Sequence, residues 1–207
     1  GKKHPAYRFI EDRRIPNDND IYLVNQFYSW TNTLVPNKFP TLEGDHPRMV
    51  IPFRNSDGEI FAYQGRAFGN EKPKYITIVL DESVPKIFGL DRVDTSRDIF
   101  IVEGPIDSLF IPNCIAVAQS DMRVPQYKDK AVLVPDNEPR NREVTKQIER
   151  AIDEGYRIVV WPDYVRQKDI NDMILSGMDA SEIMEIIHNN TLQGLSAKVA
   201  FQTWKKI

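Results

Sequence analysis

Apolar positions along the chain fall into two regimes, with the change close to residue 97. Before it they come in short bursts. Tyr7, Phe9 and Ile10 within 4–14, closed by Pro16, predict a short helix, and Ile21, Val24, Phe27 and Tyr28 predict a second over 20–31, capped by Asp18 or Asp20. Two β-rich runs, 48–54 and 59–66, flank Asn55-Ser56-Asp57-Gly58 and predict a hairpin. A further short strand is expected over 72–77, and the apolar block 84–90 ends the region.

From Ile99 onward strands and helices alternate. The run 99–102 stops at Glu103, passes through Gly104-Pro105 and resumes an apolar pattern, which reads as a buried strand delivering a carboxylate to a strand-to-helix turn. Helix 105–110, strands 115–118 and 130–135, helix 143–154 stopped by Gly155, strand 157–161, and helices after Asp169, over 181–188 and over 192–204 follow. Such alternation predicts a mostly parallel, Rossmann-like α/β sheet flanked by helices, preceded by a smaller α+β region. The expected division is 1–97, 98–190 and a C-terminal helix, 191–207. That last helix carries Leu195, Val199 and Trp204, which would pack on the preceding domain or dock a partner; packing is the expectation.

Composition narrows the chemistry. No run approaches the ~20 apolar residues of a membrane helix, and no leader opens the chain, so a cytoplasmic protein with no membrane partner is expected. Cys114 lies in the apolar stretch 114–118 and reads as a buried thiol; one cysteine and three histidines exclude a Cys-rich zinc site in this chain. Net charge is −3, unevenly spread: residues 1–97 carry 14 Lys/Arg against 13 Asp/Glu, residues 98–207 carry 13 against 17. The acids gather in the half that contains Glu103, a bias that fits bound divalent cations and equally an acidic solvated surface, the commoner explanation.

Three acidic strand ends stand out: Glu103 with Asp107 one turn beyond it, Asp136 with Glu138, and Asp169. Asp136 and Glu138, at i and i+2 on extended chain, project to one side about 6–7 Å apart. Asp169 also stands where a helix cap belongs. A parallel sheet brings these acids to one edge, where they repel unless cations neutralise them, and metal-assisted phosphoryl transfer is the matching chemistry. In the first half Arg48, Arg66, Lys74, Lys86 and Tyr75 are interleaved with strands, a combination that can hold phosphates and stack on bases, although Lys and Arg along an exposed sheet are usually just solvated.

Val102-Glu103-Gly104-Pro105-Ile106-Asp107, Val134-Pro135-Asp136-Asn137-Glu138 and Lys168-Asp169-Ile170-Asn171-Asp172 resemble the three acidic motifs of the Toprim domain, shared by primases, topoisomerases and some nucleases. Arg48-Met49-Val50-Ile51-Pro52-Phe53, Asp57-Gly58, Gln64-Gly65-Arg66, Pro73-Lys74-Tyr75 and Lys86-Ile87-Phe88-Gly89-Leu90 resemble, in order and spacing, the basic subdomain ahead of Toprim in DnaG-type primases, and the first acidic motif is worded most like those of tailed phages. The resemblance implies the RNA-polymerising core of a primase. It makes Glu103 the catalytic or metal-linked glutamate, Asp136, Glu138 and Asp169 ligands of one to three Mg²⁺ or Mn²⁺ ions, and Asp107 their support. Arg48, Arg66, Lys74, Tyr75 and Lys86 would hold single-stranded DNA or ribonucleoside triphosphate, and a replicative helicase is a further partner it implies. Two positions depart from the family pattern: Glu138 replaces the second Asp of Asp-x-Asp, and Asn171 replaces an acid of the third motif. A Toprim nuclease and a non-catalytic, nucleic-acid-binding replication accessory are the alternatives.

Overall fold

The computed structural model describes residues 5–16, 20–119 and 121–207. It separates into two compact units, Gly1–Asp91 and Arg92–Ile207. The first contains α1 (Pro5–Asp12), β1 (Tyr22–Val24), α2 (Phe27–Leu34), β2 (Arg48–Arg54), β3 (Ile60–Ala67) and β4 (Tyr75–Val79). Its strands form an antiparallel sheet in the order β1-β2-β3-β4. The β2–β3 hairpin forms where the Ser-Asp-Gly turn predicted it. Asn55 closes the turn, its Oδ1 accepting from the N–H groups of Asp57 at 3.0 Å and Glu59 at 2.9 Å.

The helix expected over 20–31 does not span those residues. Tyr22–Val24 pairs instead with Arg48–Val50 as an edge strand, and the helix starts at Phe27. Tyr, Leu and Val beside an open sheet edge gain ladder hydrogen bonds that one more helical turn cannot match. The expected cap also differs. Asp18 lies outside the described residues, and Asp20 pairs with Arg54 at 2.8 Å. The start of α2 is held by Asp45, from the segment that follows the helix in sequence; its carboxylate accepts from Tyr28 N–H (2.8 Å), Ser29 N–H (3.0 Å) and Ser29 Oγ (2.9 Å). Phe27 then packs with Val50, Tyr63 and Ile78 on one face of the sheet. Gly65 permits this, because a Cβ there would stand 2.3 Å from the Phe27 ring.

The second unit contains β5 (Ile99–Val102), α3 (Pro105–Ser108), β6 (Cys114–Ala116), β7 (Ala131–Leu133), α4 (Arg142–Asp153), β8 (Arg157–Val159), α5 (Ile170–Ser176), α6 (Ala180–Asn189), β9 (Thr191–Leu192) and α7 (Gly194–Trp204). Strand order is β6-β5-β7-β8-β9; the first four are parallel and β9 runs antiparallel to β8. The result is the predicted mixed α/β fold with a mostly parallel sheet. Helix α4 begins at the Asn141 cap, which accepts from Glu143 and Val144 N–H, and ends at Gly155 with φ +80°. The two-residue β9 was not foreseen and delays the last helix to Gly194. Ala197, Phe201 and Trp204 of α7 are buried in this unit, the packing role expected of that helix, while Leu195 and Val199 are exposed. Cys114 is buried, and burial pushes its thiol well above the ordinary range. No described helix is long and apolar enough to cross a membrane.

Candidate active site

Strand β5 leads through α3 to β6 on one side, and its other neighbour β7 leads through α4 to β8 on the opposite side. The sheet order therefore reverses between β5 and β7, which opens a crevice beyond their carboxyl ends. Glu103 follows β5 directly and Asp136 lies just past β7, so the two acids flank this crevice.

The backbone N–H of Asp136 donates to the Glu103 carboxylate. Asp136 Oδ2 lies 3.1 Å from Lys168 Nζ, and Glu138 Oε2 lies 3.7 Å from the same ammonium, so Lys168 bridges the two acids of the second motif. Asp107, in the first turn of α3, accepts from Asn171 N–H at 2.9 Å. Asp169 caps α5 by accepting from Asp172 N–H at 2.8 Å. Among the described residues no three His, Cys, Asp or Glu side chains are gathered closely enough to hold a metal ion.

The acids nonetheless feel one another. Burial, reinforced by Asp136, pushes the Glu103 carboxyl up to about 8. Burial, reinforced by Asp169, pushes Asp107 up to about 7. Asp136 is also raised, chiefly by burial, although Lys168 pulls it down. Lys168 responds in kind: burial lowers its ammonium, but Asp136 and Glu138 outweigh burial and raise it. Burial first, and repulsion from neighbouring acids second, therefore favour the protonated forms at this edge.

Residues outside the predicted acidic set fix this arrangement. Asn137 N–H donates to Lys168 O at 2.6 Å, and its Nδ2 donates to Val165 O at 3.0 Å and Gln167 O at 3.1 Å. Trp204 Nε1 donates to Asn137 Oδ1 at 3.0 Å, and Trp161 Nε1 to Pro135 O at 2.7 Å. The loop after β7 is thus tied to the segment before α5 and to α7. The only sequence signal for Asn137 and Lys168 is that they adjoin the acids; the two indoles carry none.

The basic residues of the first unit separate into two groups. Arg48 is fully buried: Nη1 donates to Gly65 O at 3.1 Å and Lys74 O at 3.3 Å, Nη2 to Pro73 O at 2.8 Å, and its Cζ lies 5.5 Å from the Phe27 ring centre. The expected contact of Arg48 with nucleic acid is therefore corrected: its donors face backbone carbonyls in the interior. Arg66 is also buried, its Cζ 4.0 Å from the Phe9 ring centre and 5.6 Å from that of Tyr75, whose hydroxyl accepts from Nε at 3.2 Å. Lys74 and Tyr75 are exposed, and Lys86 is half-buried.

A pH dependence follows from the raised acids. Each binds its proton more tightly folded than unfolded, so folding stability is intact below the ordinary carboxylate pKa near 4 and declines as pH rises toward 7 and 8. Without divalent cations, the melting temperature should fall between pH 5 and pH 8, and Glu103→Gln should flatten that fall by an amount on the order of a few kcal/mol. Equal slopes in wild type and variant would show that Glu103 ionises freely in the fold.

No protein-family model matches the chain. It is 39% identical over 211 residues to the DNA primase of Enterobacteria phage T4, a match that covers 99% of this chain and 61% of that protein. The chain thus spans about three-fifths of the length of this relative. Among solved structures, a DNA primase domain from Pseudomonas aeruginosa superposes with a TM-score of 0.68 at 16% identity, covering 97% of this chain and 75% of the other. A DnaG primase catalytic domain bound to single-stranded DNA gives 0.64 at 15% identity, covering 93% and 75%. The chain is thus similar over nearly its whole length to part of the phage T4 DNA primase and has the fold of the DnaG primase catalytic cores.

Proposed function

We propose that this chain is the RNA-polymerising core of a primase, joining ribonucleotides on single-stranded DNA with Mg²⁺ or Mn²⁺ at the acidic edge. The observation that carries the reading is the placing of Glu103, Asp107 and Asp136 about the crevice between β5 and β7, where burial, reinforced by repulsion from neighbouring acids, pushes their carboxyls up. The 39% identity to a phage DNA primase gives that crowding its context.

The donor set suits a hard divalent cation: carboxylate oxygens only, with the Lys168 ammonium standing between Asp136 and Glu138 as a stand-in positive charge. Glu103, Asp107, Asp136, Glu138 and Asp169 would hold one to three such ions. Bound there, a divalent cation would neutralise charge developing on the α-phosphate as a 3′-hydroxyl displaces pyrophosphate. Glu103 keeps its proton at neutral pH in the free edge and can serve as a base only once positive charge has displaced it. Asn137 and Trp204 hold the Asp136 loop in place, and Asp107 fixes the start of α5 through Asn171.

In this reading Lys74, Tyr75 and Lys86 contact template or triphosphate, and Arg66 acts on nucleic acid through the Tyr75 ring that it orients. The single-stranded DNA in a structural relative supports a strand-binding surface on this fold. Lys74→Ala should weaken binding of a single-stranded oligonucleotide and reduce the slope of log K against log salt by about 1. Unchanged affinity and slope would remove Lys74 from the interface. A replicative helicase is a further partner under this proposal.

One observation favours a second reading, a non-catalytic accessory: the Lys168 bridge already satisfies part of the second acidic motif. Incubation with end-labelled single-stranded DNA, Mn²⁺ and ribonucleotides separates the possibilities. New ribonucleotide-containing oligomers mark a primase, shortened DNA marks a nuclease, and neither product marks an accessory.

A further inference from the structure

The loop bearing Asp136 and Glu138 borders a cavity of about 310 Å³ within the second unit. Asn137, Trp161 and Trp204 form part of its wall, and Arg140, Arg166 and Lys206 bring three cations to it. The wall is internally satisfied: the Asn137 amide and both indole N–H groups are already spent on the hydrogen bonds that tie this loop down. No wall donor of these three residues is left to read a base. The two guanidiniums remain available. Arg140 and Arg166 are exposed, and among the described residues neither guanidinium is paired with a carboxylate. Lys206 is anchored at both ends, its backbone N–H donating to Pro139 O at 2.9 Å and its ammonium to Thr203 O at 2.8 Å, which leaves two of its three ammonium donors for a ligand. One acid, Asp163, also lines the cavity, and the balance stays positive. Arg140 and Pro139 are shared with a neighbouring cavity of about 440 Å³ that includes Glu138, so the positive cavity opens beside the acidic edge.

We propose that this cavity is a polyphosphate site that takes the triphosphate chain of a nucleotide, with Arg140 and Arg166 as planar forks on the phosphate oxygens and Lys206 as a point charge. Its volume is at the lower end of small-ligand sites and suits a triphosphate. A nucleic-acid strand would instead ask for cations continued along a groove. The site does not depend on polymerisation, since its residues are separate from the five acids proposed to act in it.

The test uses the full chain in metal-free buffer, titrated with inorganic tripolyphosphate and followed by calorimetry and by the fluorescence of Trp161 and Trp204. Wild type should bind tripolyphosphate and ATP with similar affinity. The double variant Arg140→Ala/Arg166→Ala, with an unchanged melting temperature because both side chains are exposed, should lose about 10-fold or more in both. Asp163→Asn should tighten binding about 2-fold. Equal binding by wild type and double variant, binding of ATP without tripolyphosphate, or binding of a single-stranded oligonucleotide alone would each overturn the proposal. None of these outcomes bears on primer synthesis at the acidic edge, which is read by a separate product assay with metal present.

Discussion

Asp136→Asn is expected to reduce ribonucleotide incorporation by about 10²-fold or more while leaving the fold intact. Asp136 sits at the centre of the acidic edge: its backbone N–H meets Glu103, its carboxylate pairs with Lys168, and its charge raises both Glu103 and Asp107. The amide keeps the shape and an acceptor oxygen but removes the charge that a cation requires. Burial already disfavours the ionised form of Asp136, so the variant should melt no lower than wild type at pH 8. Primer synthesis near the wild-type level in this variant would remove Asp136 from the metal-binding set. A lowered melting temperature would show that its pairing with Lys168 is mainly structural.

Arg48→Ala carries the largest expected effect on stability. The buried guanidinium supplies hydrogen bonds to three backbone carbonyls, two of them in the segment just before β4. Removal takes a donor from each of them, leaving Lys74 O only the Ala67 N–H at 2.9 Å, and opens a cavity beside Phe27, at a cost of about 3 kcal/mol or more. For a unit of this size that corresponds to a fall of roughly 10 °C or more in melting temperature. Arg48→Lys should recover little, because one ammonium cannot span the carbonyls that the planar fork reaches. Loss of DNA affinity at an unchanged melting temperature would contradict this and restore Arg48 to the nucleic-acid surface.

What could be read from the sequence follows the range of the interactions concerned. The hairpin was legible because Asn55 and Gly58 encode its turn locally, and the strand–helix alternation after Ile99 was legible because each strand is a short apolar run ended by a turn or an acid. Asp169 was readable as a cap for the same reason. Tyr22–Val24 was misread because its helical spacing is genuine; the decisive partner, β2, begins more than twenty residues later. Arg48 was misread because arginine on a strand usually faces water, and the carbonyls that bury it come from Gly65, Pro73 and Lys74. The acidic positions were visible as strand ends. The Lys168 bridge and the Trp204–Asn137 tie depend on contacts across the unit that no local pattern encodes.

The proposed chemistry stands or falls on whether these acids share a cation. A crystal of the chain soaked in Mn²⁺ and measured for anomalous scattering would answer this. The expected result is manganese in the crevice between β5 and β7, touching carboxylate oxygens of Glu103 and Asp136, with the Lys168 ammonium displaced from Asp136. An anomalous map without manganese in that crevice, and with the Lys168–Asp136 pair intact, would contradict it.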